Sequence, residues 1–229
     1  MSQTARYELK FILDEGAYTD ALRWLHTTVG ARRSYPGRFI NSVYFDDPDF
    51  NAVKDNLAGI SDRKKFRLRW YDTDQVPSGF RLEAKIREGR LGFKRLFDLP
   101  PVPGGIREAT FGAVTDHIKA QSGDDPTALE LFSTHASPAL HVRYHRDYFE
   151  AALNLRFTID SQITYGLPVP SKPIAEALSV PYPHRLLEVK FPPSDKDRVS
   201  RLLGELHLTP KRHSKYLMGL AMHGLVTYI

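Results

Sequence analysis

Cysteine is absent from the 229 residues, so neither a disulfide nor a thiolate metal site can form. Methionine and tryptophan are scarce, at three and two residues, which leaves aliphatic side chains, Phe and Tyr to build the core. No stretch approaches the ~20 apolar residues that a membrane helix needs. The opening from Met1 to Glu8 has no apolar signal-peptide core, so the expected location is the cytoplasm. Phosphate-loop (Gly-x-x-x-x-Gly-Lys) and dinucleotide (Gly-x-Gly-x-x-Gly) signatures are missing, as are His-Glu-x-x-His and Gly-x-Ser-x-Gly. These absences argue against the commonest nucleotide, zinc-protease and serine-hydrolase designs. Without internal repeats, low-complexity tracts or a convincing linker, one domain is expected over residues 1–229.

What the chain has is alternation. In Lys65-Phe66-Arg67-Leu68-Arg69-Trp70, basic and apolar residues take turns, as a strand with one wet and one buried face requires. The same period predicts strands over Arg6–Leu13, Phe39–Phe45, Lys64–Tyr71, Gly79–Arg87, Gly92–Leu99, Ala139–Phe149, Leu155–Tyr165 and Arg185–Phe191. A hairpin turn is expected at Glu88-Gly89-Arg90-Leu91. Helical spacing predicts helices over Glu15–Thr28, Asp49–Gly59, Phe111–Gln121, Thr127–His135, Ser194–Leu206 and Lys215–Gly224. The Pro-rich stretches Pro100–Gly105 and Gly166–Pro183 read as long loops. The fold class is α+β, dominated by an antiparallel sheet able to close on itself.

Every second residue of these strands collects a polar face rich in Arg and Lys: Arg6, Glu8 and Lys10; Lys65, Arg67 and Arg69; Arg81, Glu83, Lys85 and Arg87; then Lys94, Arg143, Arg156 with Asp160, and Glu188 with Lys190. Arg146 has the opposite parity from Arg143, so a bulge or strand end would be needed to bring both to one side. A wet sheet face explains any one strand. The whole set is more cationic than a mixed surface, and Arg suits bidentate phosphate binding. Like charges on paired strands repel, so a multiply charged anion is expected in a shared cavity. A net charge of +5 and a pI near 9.3 agree with an anionic partner without specifying it. Aromatic stacking on single-stranded nucleic acid is the weaker reading, because most aromatics take the apolar parity.

Glu8, Glu83, Asp160 and Glu188 lie on the cationic face, where they either neutralise Arg and Lys or hold a divalent cation; Glu188 is the first choice for a metal of the Mg²⁺ or Mn²⁺ kind. Asp46-Asp47-Pro48-Asp49 reads as a strand-end turn with Asp47 or Asp49 capping a helix, in preference to a metal cluster. The basic run Pro210-Lys211-Arg212-His213-Ser214-Lys215-Tyr216 precedes the last helix, whose free N–H groups suit an anion.

Six strings in order, Arg6-Tyr7-Glu8-Leu9-Lys10-Phe11, Ser42-Val43-Tyr44-Phe45-Asp46, Arg67-Leu68-Arg69-Trp70-Tyr71, Leu82-Glu83-Ala84-Lys85, Leu187-Glu188-Val189-Lys190 and Arg212-His213-Ser214-Lys215-Tyr216, resemble the VTC domain. That domain is the polyphosphate polymerase module of the vacuolar transporter chaperone family, within the triphosphate tunnel metalloenzyme superfamily. The resemblance implies a closed antiparallel β-barrel (a tunnel fold of about eight strands) with peripheral helices. It implies a metal-dependent phosphotransferase that moves the γ-phosphate of ATP onto a growing inorganic polyphosphate chain. The alternatives it leaves open are a non-catalytic polyphosphate or nucleotide-binding module and a metal-dependent triphosphatase. Arg67, Arg69, Lys85 and Glu188 would be catalytic. Lys10, Lys94, Arg146, Arg156, Lys190, Arg212, Ser214 and Lys215 would bind phosphates, and Glu188 would hold Mn²⁺ or Mg²⁺. The implied partners are ATP and polyphosphate, with no nucleic acid. Arg6 replaces the first acidic residue of the superfamily's Glu-x-Glu-x-Lys signature, which speaks against the simple triphosphatases.

Overall fold

The computed structural model describes residues 6–72, 77–89, 91–123, 125–133, 137–152 and 154–228. Arg90 of the expected hairpin turn and His135 of the expected helix end lie outside this set. Among the described residues there are nine strands: β1 (Tyr7–Leu13), β2 (Arg32–Asp46), β3 (Arg63–Asp72), β4 (Pro77–Glu88), β5 (Leu91–Asp98), β6 (Ser137–Ala151), β7 (Leu155–Leu167), β8 (Leu178–Pro181) and β9 (Arg185–Phe191). The helices are α1 (Glu15–Thr27), α2 (Asn51–Leu57), α3 (Phe111–Ser122), α4 (Pro126–Ser133), α5 (Lys196–Gly204) and α6 (Lys215–Met222).

All eight expected strands form, and five of them, β2, β3, β4, β6 and β7, are longer than alternation alone revealed. β2 starts seven residues early, at Arg32, because Pro36 and Gly37 interrupt the periodic signal without ending the strand. Part of the expected loop Gly166–Pro183 is instead the end of β7, a 3-10 turn (Ile174–Glu176) and the four-residue β8. Pairing follows the order β1-β9-β7-β6-β2-β3-β4-β5, with β8 on β7. β1 and β5 stand at the ends of that path, so the architecture is an antiparallel α+β sheet whose closure into a barrel is not part of the observed pairing. Phe93 and Leu96 of β5 are exposed, as residues of an outer strand are.

The chain divides into two compact units. The first contains residues 1–38, 144–163 and 181–213; the second contains 39–143, 164–180 and 214–229. Each has its own core. In the first, Phe11, Leu13, Phe157, Ile159, Leu187 and Val189 turn one strand face toward Ala21, Trp24 and Leu25 of α1 and Val199 of α5. Asp14 caps α1 by accepting from the Ala17 N–H, and the Trp24 Nε1–H donates to the Leu202 carbonyl at 2.9 Å. In the second, Phe66, Leu68 and Trp70 of β3 and Phe80, Leu82, Ala84 and Ile86 of β4 share a cluster with Phe111, Val114 and Ile118 of α3 and Leu131 of α4. Each large apolar side chain so buried contributes about 1.5–3 kcal/mol. That burial fixes which face the charged partners must take.

The acidic run 46–49 is the turn that was expected, and Asp47 does bond the first N–H of α2, joined by Asp46. Asp47 Oδ1 accepts from the N–H groups of Asp49 and Asn51, and Asp46 Oδ1 from those of Asp47 and Ala52. The N-cap of α2 is Phe50 in the left-handed region, without a side-chain bond. α5 begins after a 3-10 turn over Pro193–Asp195, so Ser194 does not start the helix.

Candidate functional site

Register brings the charged faces into two centres, one in each unit. In the second unit, Tyr44, Arg67, Glu83 and Leu96 lie opposite one another across β2, β3, β4 and β5. Ser42, Arg69, Arg81 and Asp98 form the next row, and Lys65, Lys85 and Lys94 another. Alternation puts these rows on the face that Phe66, Leu68 and Trp70 do not use. Six cations therefore share a face with two carboxylates.

Glu83 is the hub. Its side chain is 5% exposed, and its Oε2 accepts from Arg67 Nε at 2.6 Å. Its Oε1 accepts from Lys94 Nζ at 3.0 Å, with Arg69 Nη1 at 3.7 Å. Burial alone would raise the Glu83 carboxyl, but the charges of Arg67, Arg69 and Lys94 outweigh it and lower the pKa to about 2. Burial lowers that of Lys94, as do Arg67 and Arg69, against the opposing pull of Glu83. Arg67 Nη1 also donates to the Tyr44 hydroxyl at 3.1 Å. Burial works against ionisation of Tyr44, yet Arg67, Arg69 and Lys215 bring its pKa down to about 8.

Tyr44 stacks on Tyr216 of α6 at 4.9 Å, and the Tyr216 hydroxyl donates to Asp46 at 2.7 Å. A Cβ at Gly219 would overlap Leu140 and Tyr165, so glycine permits the close docking of α6. Lys215 is thereby held within electrostatic reach of Tyr44. The Ser214 hydroxyl caps α6 by accepting from the Leu217 N–H, a structural duty for a residue expected to bind phosphate. Lys85 is exposed on the same face as Glu83. Alternation had suggested a core position for most aromatics. Tyr44 is an exception that the sequence reading missed; it shares the parity of Ser42, which faces Arg69.

The centre in the first unit is closer to neutral. Glu188 pairs with Lys190 at 2.5 Å and with Lys10 at 3.8 Å. Glu8 pairs with Lys10 at 3.0 Å and Lys190 at 3.7 Å. Lys10 also donates to the His213 carbonyl at 3.1 Å. Arg146 forms a bidentate pair with buried Asp160, at 2.5 and 2.7 Å. Burial would raise the Glu188 carboxyl; Arg146, Lys190 and Lys10 together hold it well below the usual range instead. Four cations, Lys10, Arg146, Arg156 and Lys190, accompany three carboxylates here. The neutralising role weighed for these carboxylates is visible in every one of them.

Arg156 lies opposite Lys190 in register but is exposed, beside a concavity also lined by Arg32, Arg33 and Glu150. Arg212 is exposed in the stretch before α6. Arg143 needs no bulge: it belongs to the second unit, where it meets Asp72 and the Phe39 ring. Within each unit the described contacts gather these groups into a centre of its own.

Among the described residues no three of His, Asp and Glu come together as a metal cage. Glu188 and Glu8 are hard oxygen donors on adjacent strands, which suits an ion that takes most of its ligands from water and a phosphate substrate. No helix among the described residues is long and apolar enough to cross a membrane.

None of the curated proteins matches this chain significantly. Solved structures with a similar fold include the PH1819 protein from Pyrococcus horikoshii OT3, with 13% identity, a TM-score of 0.55, and 95% of this chain and 98% of that one covered. A second, titled a "putative adenylate cyclase" from Vibrio parahaemolyticus, has 13% identity, a TM-score of 0.51, and 96% and 99% coverage. At such identity these likenesses establish the fold alone. The VTC domain family model matches residues 5–223, nearly the whole chain. With the cationic strand faces and the six ordered strings, that match places the chain in the VTC domain family.

Proposed function

We propose that this chain is a phosphotransferase that passes the γ-phosphoryl group of ATP to the end of an inorganic polyphosphate chain. The observation that carries the reading is the Glu83 face, where Arg67, Arg69 and Lys94 converge on one buried carboxylate and still leave a cationic excess. Arg67, Arg69, Lys85 and Lys94 neutralise phosphates there, with Lys215 adding charge from α6. Glu83 holds the guanidinium groups in position, so they need not reorganise when phosphate arrives. Lys10, Lys190, Arg146, Arg156 and Arg212 are assigned to phosphate binding on the first unit.

The new P–O bond forms between the terminal chain oxygen and the γ-phosphorus as the bond to the β-phosphate oxygen breaks, and ADP leaves. The attacking phosphate oxygen is already ionised, so no strong general base is required. Mn²⁺ or Mg²⁺ would be held at Glu188 with help from Glu8 and would neutralise charge on phosphate oxygens.

A second reading is a polyphosphate receptor without catalysis. It is favoured by the ion pairs that already occupy Glu188. Purified protein incubated with ATP and Mn²⁺ separates the two. The transferase reading expects long polyphosphate on a gel, in amounts that grow with time. Tight polyphosphate binding without polymer would establish the receptor, and faster release of phosphate from tripolyphosphate than polymer growth would establish a hydrolase.

A further inference from the structure

The opposite face of the second unit holds a separate cavity. In the β2–β3 register Asn41 pairs with Trp70 and Phe39 with Asp72, on the parity that Arg67 and Arg69 do not use. A cavity of about 300 Å³ is bordered by Asn41, Trp70, Asp72, Arg107, His141 and Arg143, among others. Its lining is both buried and incompletely bonded. Asn41 is 3% exposed and Trp70 1%, and Asn41 Nδ2, Trp70 Nε1 and Asp72 Oδ1 have no hydrogen-bond partner among the described residues. Buried polar groups in native proteins are almost always satisfied, so three orphans around one cavity point to a missing partner.

The identity of the orphans describes that partner. Arg107 Nη2 and Arg143 Nε both address Asp72 Oδ2, at 3.2 and 3.7 Å. Two guanidinium groups thus share one carboxylate and leave one net positive charge. His141 stacks on the Trp70 indole at 5.7 Å with planes 3° apart, and its Nε2 lies 3.3 Å from Asn41 Oδ1. Burial, reinforced by Arg143, lowers the His141 pKa to about 4, so its ring adds no charge near neutral pH. The indole N–H and the amide N–H₂ are donors, and they want oxygen acceptors with negative charge. Asp72 Oδ1 is an acceptor and wants an O–H.

We propose that this cavity binds hydrogen phosphate, an oxyanion that still carries a proton, and that Asp72 rejects sulfate, which at neutral pH has none. The site is independent of the transferase reading, because it lies on the other face of β3 from Glu83. A polar site that bonds a ligand's hydroxyl discriminates strongly against an analogue lacking it.

The two tryptophans of the chain make the test direct. In Trp24→Phe protein, Trp70 is the sole indole fluorophore. Inorganic phosphate should change its emission saturably, with a Kd of about 1 mM, while sulfate binds at least about 100-fold more weakly. The response should persist in Arg67→Gln, which weakens the Glu83 face, and disappear in Arg107→Gln, a change at a half-exposed side chain. Asp72→Asn should gain sulfate binding, a readout that misfolding cannot produce. No saturable response, equal response to phosphate and sulfate, a better response to acetate than to phosphate, or loss of the response in Arg67→Gln would each overturn the assignment.

Discussion

Glu188→Gln should reduce ATP-dependent polymer formation by at least about 100-fold, the order expected when a main electrostatic element of a phosphoryl-transfer site is removed. The substitution keeps the size of the side chain and removes its charge. Lys10, Lys190 and Arg146 then lose their shared counter-charge, so the first unit becomes more cationic. Polyphosphate affinity should accordingly stay within a few-fold of the parent protein or rise. Polymer yield on a gel, measured beside a polyphosphate titration, separates the two quantities. A variant that makes polymer at the parental rate would show that Glu188 has no part in metal-assisted transfer. A thermal melt of the same variant identifies any loss of activity caused by unfolding.

The largest stability effect is expected at Glu83. Glu83→Gln strands Arg67, Arg69 and Lys94 without their shared carboxylate, and breaking a buried pair from one side costs about 3 kcal/mol. Polyphosphate should restore more stability to this variant than it adds to the parent, since anything that binds only the folded state stabilises it. The same carboxylate sets a pH dependence. Its pKa falls from 4.5 to about 2 on folding, so its stabilising contribution is complete above about 4.5 and is lost as pH drops from there toward 2. The parent's melting temperature should therefore decline across that window. The Glu83→Gln profile should be flatter, and an unchanged profile would remove Glu83 from the role of hub.

Alternation in the sequence was enough to place the strands and to sort Phe66, Leu68 and Trp70 from Arg67 and Arg69, because burial of one face enforces a period of two. It did not reveal partners. That Glu83 meets Arg67, while Lys85 lies between Lys65 and Lys94, follows from the register between neighbouring strands, which the pattern within any one strand does not encode. Tyr44 was hidden for a related reason: its value lies in a hydrogen bond from Arg67 and a stack on Tyr216, neither of which a local pattern encodes. The first half of β2 escaped detection because Pro36 and Gly37 resemble a turn, and β8 because four residues, three of them exposed, carry almost no periodic signal. Arg143 shows parity read correctly and assigned wrongly. Its mismatch with Arg146 reflects membership of a different cluster, with Asp72 and His141.

The same partition explains why the two charged centres differ in chemistry. In the first unit's centre Glu8, Asp160 and Glu188 are each matched by a cation, and the arrangement orders a pair of glutamates. In the second, the rows across β2–β5 place six cations with two carboxylates, an excess that suits an anion. Phosphate binding by the Glu83 face is the premise on which the transferase and receptor readings both stand.

That premise is tested most directly by titrating inorganic polyphosphate into the parent protein and into Arg67→Gln/Lys94→Gln at several salt concentrations. Affinity for the parent should fall steeply as salt rises. The double variant should bind at least about 10-fold more weakly, with a slope of log K against log salt that is shallower by about 1–2, as expected when two cation–phosphate contacts are lost. Equal affinity and an equal slope for the two proteins would contradict the account.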